Sequence, residues 1–159
     1  PSGCSILVRM KEKILVSACL IGEKCRYDGK DNLCQDLLKL TKYFDLIPIC
    51  PEVSGGLKIP RVPAEIQGNR VVTKKGFDVT SNYQDGAYWA SSIVSMFKIK
   101  LAVLKERSPS CGSKKIHAGK FDGTLIDGKG ITTQKLEKMG VKVISEEEVP
   151  ELLKQMEEK

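Results

Sequence analysis

Leu101-Ala102-Val103-Leu104-Lys105-Glu106-Arg107-Ser108-Pro109-Ser110-Cys111-Gly112-Ser113 is the stretch on which the reading of the chain turns. Its first four residues form an apolar run of strand length without polar alternation, the pattern of a strand buried on both faces. Pro109 and Gly112 stop that strand and force a tight turn. The turn holds a thiol, Cys111, among Ser108, Ser110 and Ser113, with unpaired backbone N–H groups expected nearby. Lys105, Arg107, Lys114 and Lys115 add positive charge, which favours thiolate over thiol. A thiolate in such a place is a nucleophile or a metal ligand. A surface loop with an idle cysteine is the plain alternative.

Two further cysteines follow apolar runs in the same way. Ile14-Leu15-Val16-Ser17-Ala18 reads as a first strand and runs into Cys19; Leu46-Ile47-Pro48-Ile49 reads as a second and runs into Cys50, with Pro48 marking an edge-like position. Between them, Leu33 to Tyr43 carries leucines near helical spacing, with Asn32 or Asp31 as cap and Cys34 as a buried or half-buried thiol near its start. Beyond Cys50, Gly55, Gly56, Pro60 and Pro63 mark an irregular stretch holding Arg61 and Glu65. Residues 70–73 read as part of a small β excursion. The longest helix runs from a cap at Asp78 or Thr80 to about Lys98. Val79, Tyr83, Ala87, Ala90, Val94 and Phe97 form its buried face, with Tyr88 and Trp89 partly exposed.

After Cys111, residues 116–121 read as a short strand and residues 122–130 as a mobile glycine-rich loop. The loop enters a helix capped by Thr132 or Thr133, and such an entry can bind an anion. Gly140 ends that helix. Val141-Lys142-Val143-Ile144 is the last strand, and Ser145 caps an acidic C-terminal helix. Strands alternating with helices predict an α/β fold: a single three-layer domain with a mostly parallel, Rossmann-like sheet. Ligands of such sheets bind beyond the carboxyl ends of the strands. Neighbouring parallel strands would therefore bring Cys19, Cys50 and Cys111 together at one edge.

Composition bounds the function. The 159 residues, 41% hydrophobic and 29% charged, are those of an ordinary globular protein able to bury a core. No apolar run has membrane-spanning length and no signal peptide is visible, so a cytoplasmic location is expected. Residues 1–9 precede Met10 and read as a leader or expression remnant, which sets Cys4 aside; residues 10–159 form the expected domain. Six cysteines in a reducing compartment suggest metal binding or catalysis rather than disulfides. From Glu146 onward six acidic residues face two lysines, so the rest of the chain carries 24 basic and 14 acidic side chains. That charge suits anions or nucleotides, but no basic stripe or aromatic platform favours nucleic acid.

Three thiolates can bind zinc with a fourth ligand, or an iron–sulfur cluster with one iron left open. Cys25 and the lone His117 are candidate fourth ligands, although a lone histidine on a polar stretch is usually just solvated. Glu52 and Ser108 lie close in sequence to Cys50 and Cys111. A carboxylate beside a cluster is costly unless it binds iron or moves protons. This favours an open iron. The competing reading is a zinc- or cluster-stabilised nucleotide- or RNA-binding protein, or a sulfur carrier.

Ser17-Ala18-Cys19-Leu20-Ile21-Gly22, Cys25-Arg26-Tyr27-Asp28-Gly29, Cys50-Pro51-Glu52-Val53 with Gly55-Gly56-Leu57, Pro60-Arg61 with Pro63-Ala64-Glu65, and Lys105 to Gly112 together resemble the domain-of-unknown-function-523 family, over residues 13 to about 148. Its characterised members are thiouracil desulfidases. The resemblance implies a 4Fe-4S cluster held by Cys19, Cys50 and Cys111, with one iron not bound by cysteine. It implies Glu52 as general acid/base and Ser108 as the second catalytic residue. Cys25 belongs to the family pattern without being an expected ligand. The reaction implied is non-redox: the open iron takes the thiocarbonyl sulfur of a nucleobase such as 2-thiouracil, water attacks the carbon, and hydrogen sulfide leaves. The resemblance also implies that the extra C-terminal domain of some relatives is lacking. It carries no signal for an oligomeric state.

Overall fold

The computed structural model describes residues 11–159. The readings of residues 1–9, Cys4 and Met10 lie outside the described residues. Strands β1 (Glu12–Ser17), β2 (Phe44–Ile49), β5 (Leu101–Leu104) and β8 (Lys142–Ser145) form one sheet in the order β2-β1-β5-β8. Every pair in it is parallel, with Ile14 opposite Leu46, Leu15 opposite Ala102, and Ala102 opposite Val143. β2 is an edge strand, which is how it tolerates Pro48.

Alternate residues of each strand point to opposite faces, so the apolar runs feed two cores. Leu15, Ala102, Leu104 and Val143 pack on one side with Ala90, Val94 and Leu136. Those three come from helices α3 (Thr80–Phe97) and α4 (Ile131–Lys138). Ile14, Val16, Val103 and Ile144 pack on the other side with Leu37, Leu40, Val149 and Leu153. These belong to α1 (Gln35–Lys39) with the 3-10 turn after it, and to α5 (Val149–Glu157). The predicted three layers of an α/β fold are thus present. No helix among the described residues is long and apolar enough to cross a membrane.

A second short helix, α2 (Pro51–Ser54), follows β2 directly. Its backbone lies against α3 so closely that a Cβ on Gly86 would stand 2.0 Å from the Pro51 carbonyl oxygen, and one on Gly55 would stand 1.9 Å from that of Asn82. Two hairpins complete the fold: β3 (Ala64–Gln67) with β4 (Arg70–Thr73), and β6 (Lys115–His117) with β7 (Leu125–Asp127).

Several sequence expectations change. The Leu33–Tyr43 helix is only five residues of α-helix plus a 3-10 turn, and its N-cap is Cys34; Asp31 instead accepts from the Leu33 amide. The glycine-rich segment holds a paired strand, β7. Phe97 is 41% exposed rather than core, its ring centroid lying 5.9 Å from the Lys13 ammonium. Thr132 and Thr133 do not cap α4. Both are buried inside its first turn, where their hydroxyls meet Ser110 Oγ and the Cys111 carbonyl.

Candidate functional site

β1, β5 and β2 are adjacent and parallel, so their carboxyl ends share one edge of the sheet. The chain leaves β1 through a 3-10 turn, Ala18–Ile21, that carries Cys19. It leaves β2 at Cys50, the N-cap of α2, and leaves β5 into the Cys111 turn. All three thiols line one cavity of about 480 Å³, together with Cys25, Glu52, Arg61, Tyr83, Ser108 and His117. All five cysteines among the described residues are free thiols. Cys34 packs with the α1 and α5 side of the core and is not part of that lining. Among the described residues, no group of three His, Cys, Asp or Glu side chains closes on a single metal ion.

The thiols differ in acidity. Cys25 is buried, with its carbonyl oxygen 3.9 Å from Cys50 Sγ. Hydrogen bonding with the Cys19 and Cys50 thiols, together with burial, pushes the Cys25 thiol far up. Hydrogen bonding with Cys25 lowers Cys50 to about 7 against the opposing cost of burial. It also lowers Cys19, to which Asn32 Nδ2 donates at 3.4 Å. Cys111 goes the other way: burial pushes its thiol well up, offset in part by the Ser17 hydroxyl. The basic residues of its loop do not make Cys111 a thiolate, contrary to the sequence reading. Lys105, Lys114 and Lys115 pair instead with Glu146, Glu148 and Asp127. A buried thiol of this kind loses its proton when a metal takes the proton's place. Cys19 and Cys50, both shifted towards thiolate, and Cys111, which needs a metal to lose its proton, are a donor set that fits an iron–sulfur cluster.

The backbone amides of Arg107 and of residues 110–114 are satisfied, which also corrects the sequence reading. Glu106, 3% exposed, turns inward, and its Oε1 accepts from the amides of Arg107, Ser113 and Lys114 at 2.8 to 3.2 Å. Burial raises the carboxyl and these N–H groups outweigh it, leaving Glu106 below the ordinary carboxylate value. The first amides of α4 donate to the carbonyls of Gly112, Pro109 and Ser110, so that helix end holds the loop and offers no anion site. A Cβ on Gly130 would stand 2.3 Å from the Ser110 carbonyl carbon.

Ser108 Oγ accepts from the amides of Ser110 at 3.0 Å and Cys111 at 3.1 Å. A hydroxyl has two acceptor sites and one proton, so the Ser108 proton is the part left to meet a ligand. Glu52 Oε1 accepts from Tyr83 Oη at 2.8 Å and Arg61 Nε at 3.2 Å. Arg61 is fixed in turn, donating to the carbonyls of Lys58 at 3.2 Å and Cys25 at 2.9 Å. His117 is not simply solvated: it lines the cavity, and its Nδ1 is buried with no hydrogen-bond partner among the described residues.

Sequence reasoning missed Tyr83, taken for core, and Asn32, taken for a helix cap. Tyr83 is buried as expected, at 1% exposed. The available signal was its hydroxyl, since a buried phenol needs a partner.

The fold and site define an α/β protein with a thiol-lined cavity at the carboxyl ends of three parallel strands. The sequence matches the 2-thiouracil desulfurase family over residues 14–148, and the chain belongs to that family. It is 39% identical over 150 residues to the uncharacterized protein YbbK of Bacillus subtilis (strain 168), an alignment covering 88% of this chain and 99% of the relative. Its structure is similar to that of the [4Fe-4S]-dependent thiouracil desulfidase TudS (DUF523Vcz), with a TM-score of 0.85 and 44% identity over 94% of this chain and all of that one.

Proposed function

We propose that this chain is an iron–sulfur-dependent desulfidase that converts a thiolated nucleobase such as 2-thiouracil, with water, to the oxo base and hydrogen sulfide. The observation that carries the reading is the meeting of Cys19, Cys50 and Cys111 with Glu52 and Ser108 in one cavity. The likeness to TudS supports it. Cys19, Cys50 and Cys111 would hold a 4Fe-4S cluster with one iron not bound by cysteine. When bound, it supplies a Lewis acid for the soft thiocarbonyl sulfur.

The remaining chemistry belongs to the chain. The Ser108 hydroxyl donates its free proton to a substrate heteroatom and fixes the ring's orientation. The Glu52 carboxylate takes a proton from the water that attacks the carbon bearing sulfur, then returns one to the leaving sulfur. Cys25 keeps its proton between Cys19 and Cys50 and serves as hydrogen-bond donor rather than ligand. Residues 10–159 act as the working domain, in a reducing compartment such as the cytoplasm.

The test is metal analysis after anaerobic purification, followed by assay of sulfide release from 2-thiouracil. Iron and inorganic sulfide with turnover support the reading. Stoichiometric zinc without sulfide, and no turnover, would replace it with the zinc-held nucleotide- or RNA-binding module.

A further inference from the structure

Glu52 is hydrogen-bonded on one side only. Both donors, Tyr83 Oη and Arg61 Nε, fall on Oε1, and among the described residues none falls on Oε2. Neither donor is free to move. The Tyr83 ring is buried in the face of α3 that packs on α2, and its hydroxyl reaches back to Glu52 one residue after Pro51. The Arg61 guanidinium is held at three points, and its side chain is 10% exposed. A salt bridge in this setting does more than neutralise charge. Two rigid donors on one oxygen set the plane of the carboxylate.

We infer that Tyr83 and Arg61 are positioning residues that fix Glu52 through Oε1 and leave Oε2 as the single oxygen presented to the substrate and its water. This rests on the proposed acid/base role of Glu52. Without both donors the carboxylate rotates about its terminal bond, where the torsional preference is broad, and either oxygen faces the cavity in the wrong attitude. Positioning errors of this size cost on the order of 10²-fold in rate. Arg61 ties the same carboxylate to the Cys25 carbonyl, so the loop after β1 and the helix after β2 keep a fixed spacing.

The experiment compares Tyr83→Phe, Arg61→Lys, Glu52→Gln and the double variant Tyr83→Phe/Glu52→Gln, each reconstituted anaerobically, with iron and sulfide content, thermal midpoint, kcat and KM measured on 2-thiouracil. Tyr83→Phe keeps the ring and should load its cluster fully. Its kcat should fall about 10- to 10²-fold with KM nearly unchanged, and the substitution should have no further effect in the Glu52→Gln background. A second readout needs no cluster. The infrared carboxylate band assigned by the wild-type minus Glu52→Gln difference should shift in cluster-free Tyr83→Phe. Loss of activity in Glu52→Gln, with full kcat in Tyr83→Phe and Arg61→Lys and an unmoved band, would overturn the inference and leave the acid/base reading standing. Full activity of Glu52→Gln with a full cluster would overturn that reading itself.

Discussion

Ser108 shows how one side chain can hold a turn and still act. Its oxygen closes the turn by taking two amides, and its proton is then the group left for the substrate. Ser108→Ala removes both, but Glu106, Thr133 and the first amides of α4 still hold the Cys111 loop, so iron loading should persist while sulfide release falls by about 10-fold or more; parent-like turnover of a fully loaded variant would deny Ser108 its role. Glu106 is the other organising residue of the loop. Glu106→Gln keeps the shape but loses the charge that satisfies its ring of amides, and should cost about 1–3 kcal/mol in urea unfolding. Its folded carboxyl titrates below the unfolded one. The stabilisation is therefore full above the ordinary glutamate value of about 4.3 and is lost as pH falls through the lower folded value. Glu106→Gln should accordingly show a shallower acid loss of stability than the parent.

At the scale of elements, α2 is the piece on which the site depends. It is one turn long, too short to hold itself, and it carries Glu52 and has Cys50 as its N-cap. Gly86 and Gly55 let it sit against the backbone of α3. Gly86→Ala should push α2 outward, costing about 1–3 kcal/mol in overpacking and lowering iron occupancy as Cys50 moves. A lower thermal midpoint with unchanged loading would show that α2 does not set the position of Cys50. β1, β5 and β8 were legible in the sequence because residues buried on both faces give uninterrupted apolar runs; β2, only partly buried at the sheet edge, was legible from Leu46, Ile47 and Ile49, and the Cys19 and Cys50 positions followed from where those runs stop. The short helices were not. Leu33, Leu37, Leu38 and Leu40 suggest a periodic face, yet Leu33 and Leu38 are exposed at 44% and 37%. The hairpin partners β3 and β7 were missed because runs of four and three residues are too short to show a strand period, and β7 lies exposed within a glycine-rich stretch that reads as loop.

Across the whole molecule, position sets Cys34 apart from the proposed ligands, whereas Cys25 shares their cavity. Cys50→Ser should abolish cluster loading, and Cys34→Ser should leave it intact because Cys34 does not line the cavity that Cys19, Cys50 and Cys111 share. Cys25→Ser should load iron with a changed cluster spectrum, since Ser still donates a proton to its neighbours; complete loss of iron would make Cys25 a ligand. The convergence of these thiols was readable as a possibility from the alternation of strands and helices. In the network around Glu52, pairing with Arg61 could be anticipated from two opposite charges nine residues apart; the Tyr83 contact could not, because Tyr83 reaches Glu52 only through the packing of α2 on α3. The strand order β2-β1-β5 has a practical consequence for anyone wishing to borrow the site. Cys19, Cys50 and Cys111 meet only after three strands distant in sequence have paired, so no contiguous peptide cut from the chain carries the constellation. Minimising or transplanting it therefore means keeping the sheet. Circular permutation that preserves strand order should retain it, whereas excision of any one motif discards it.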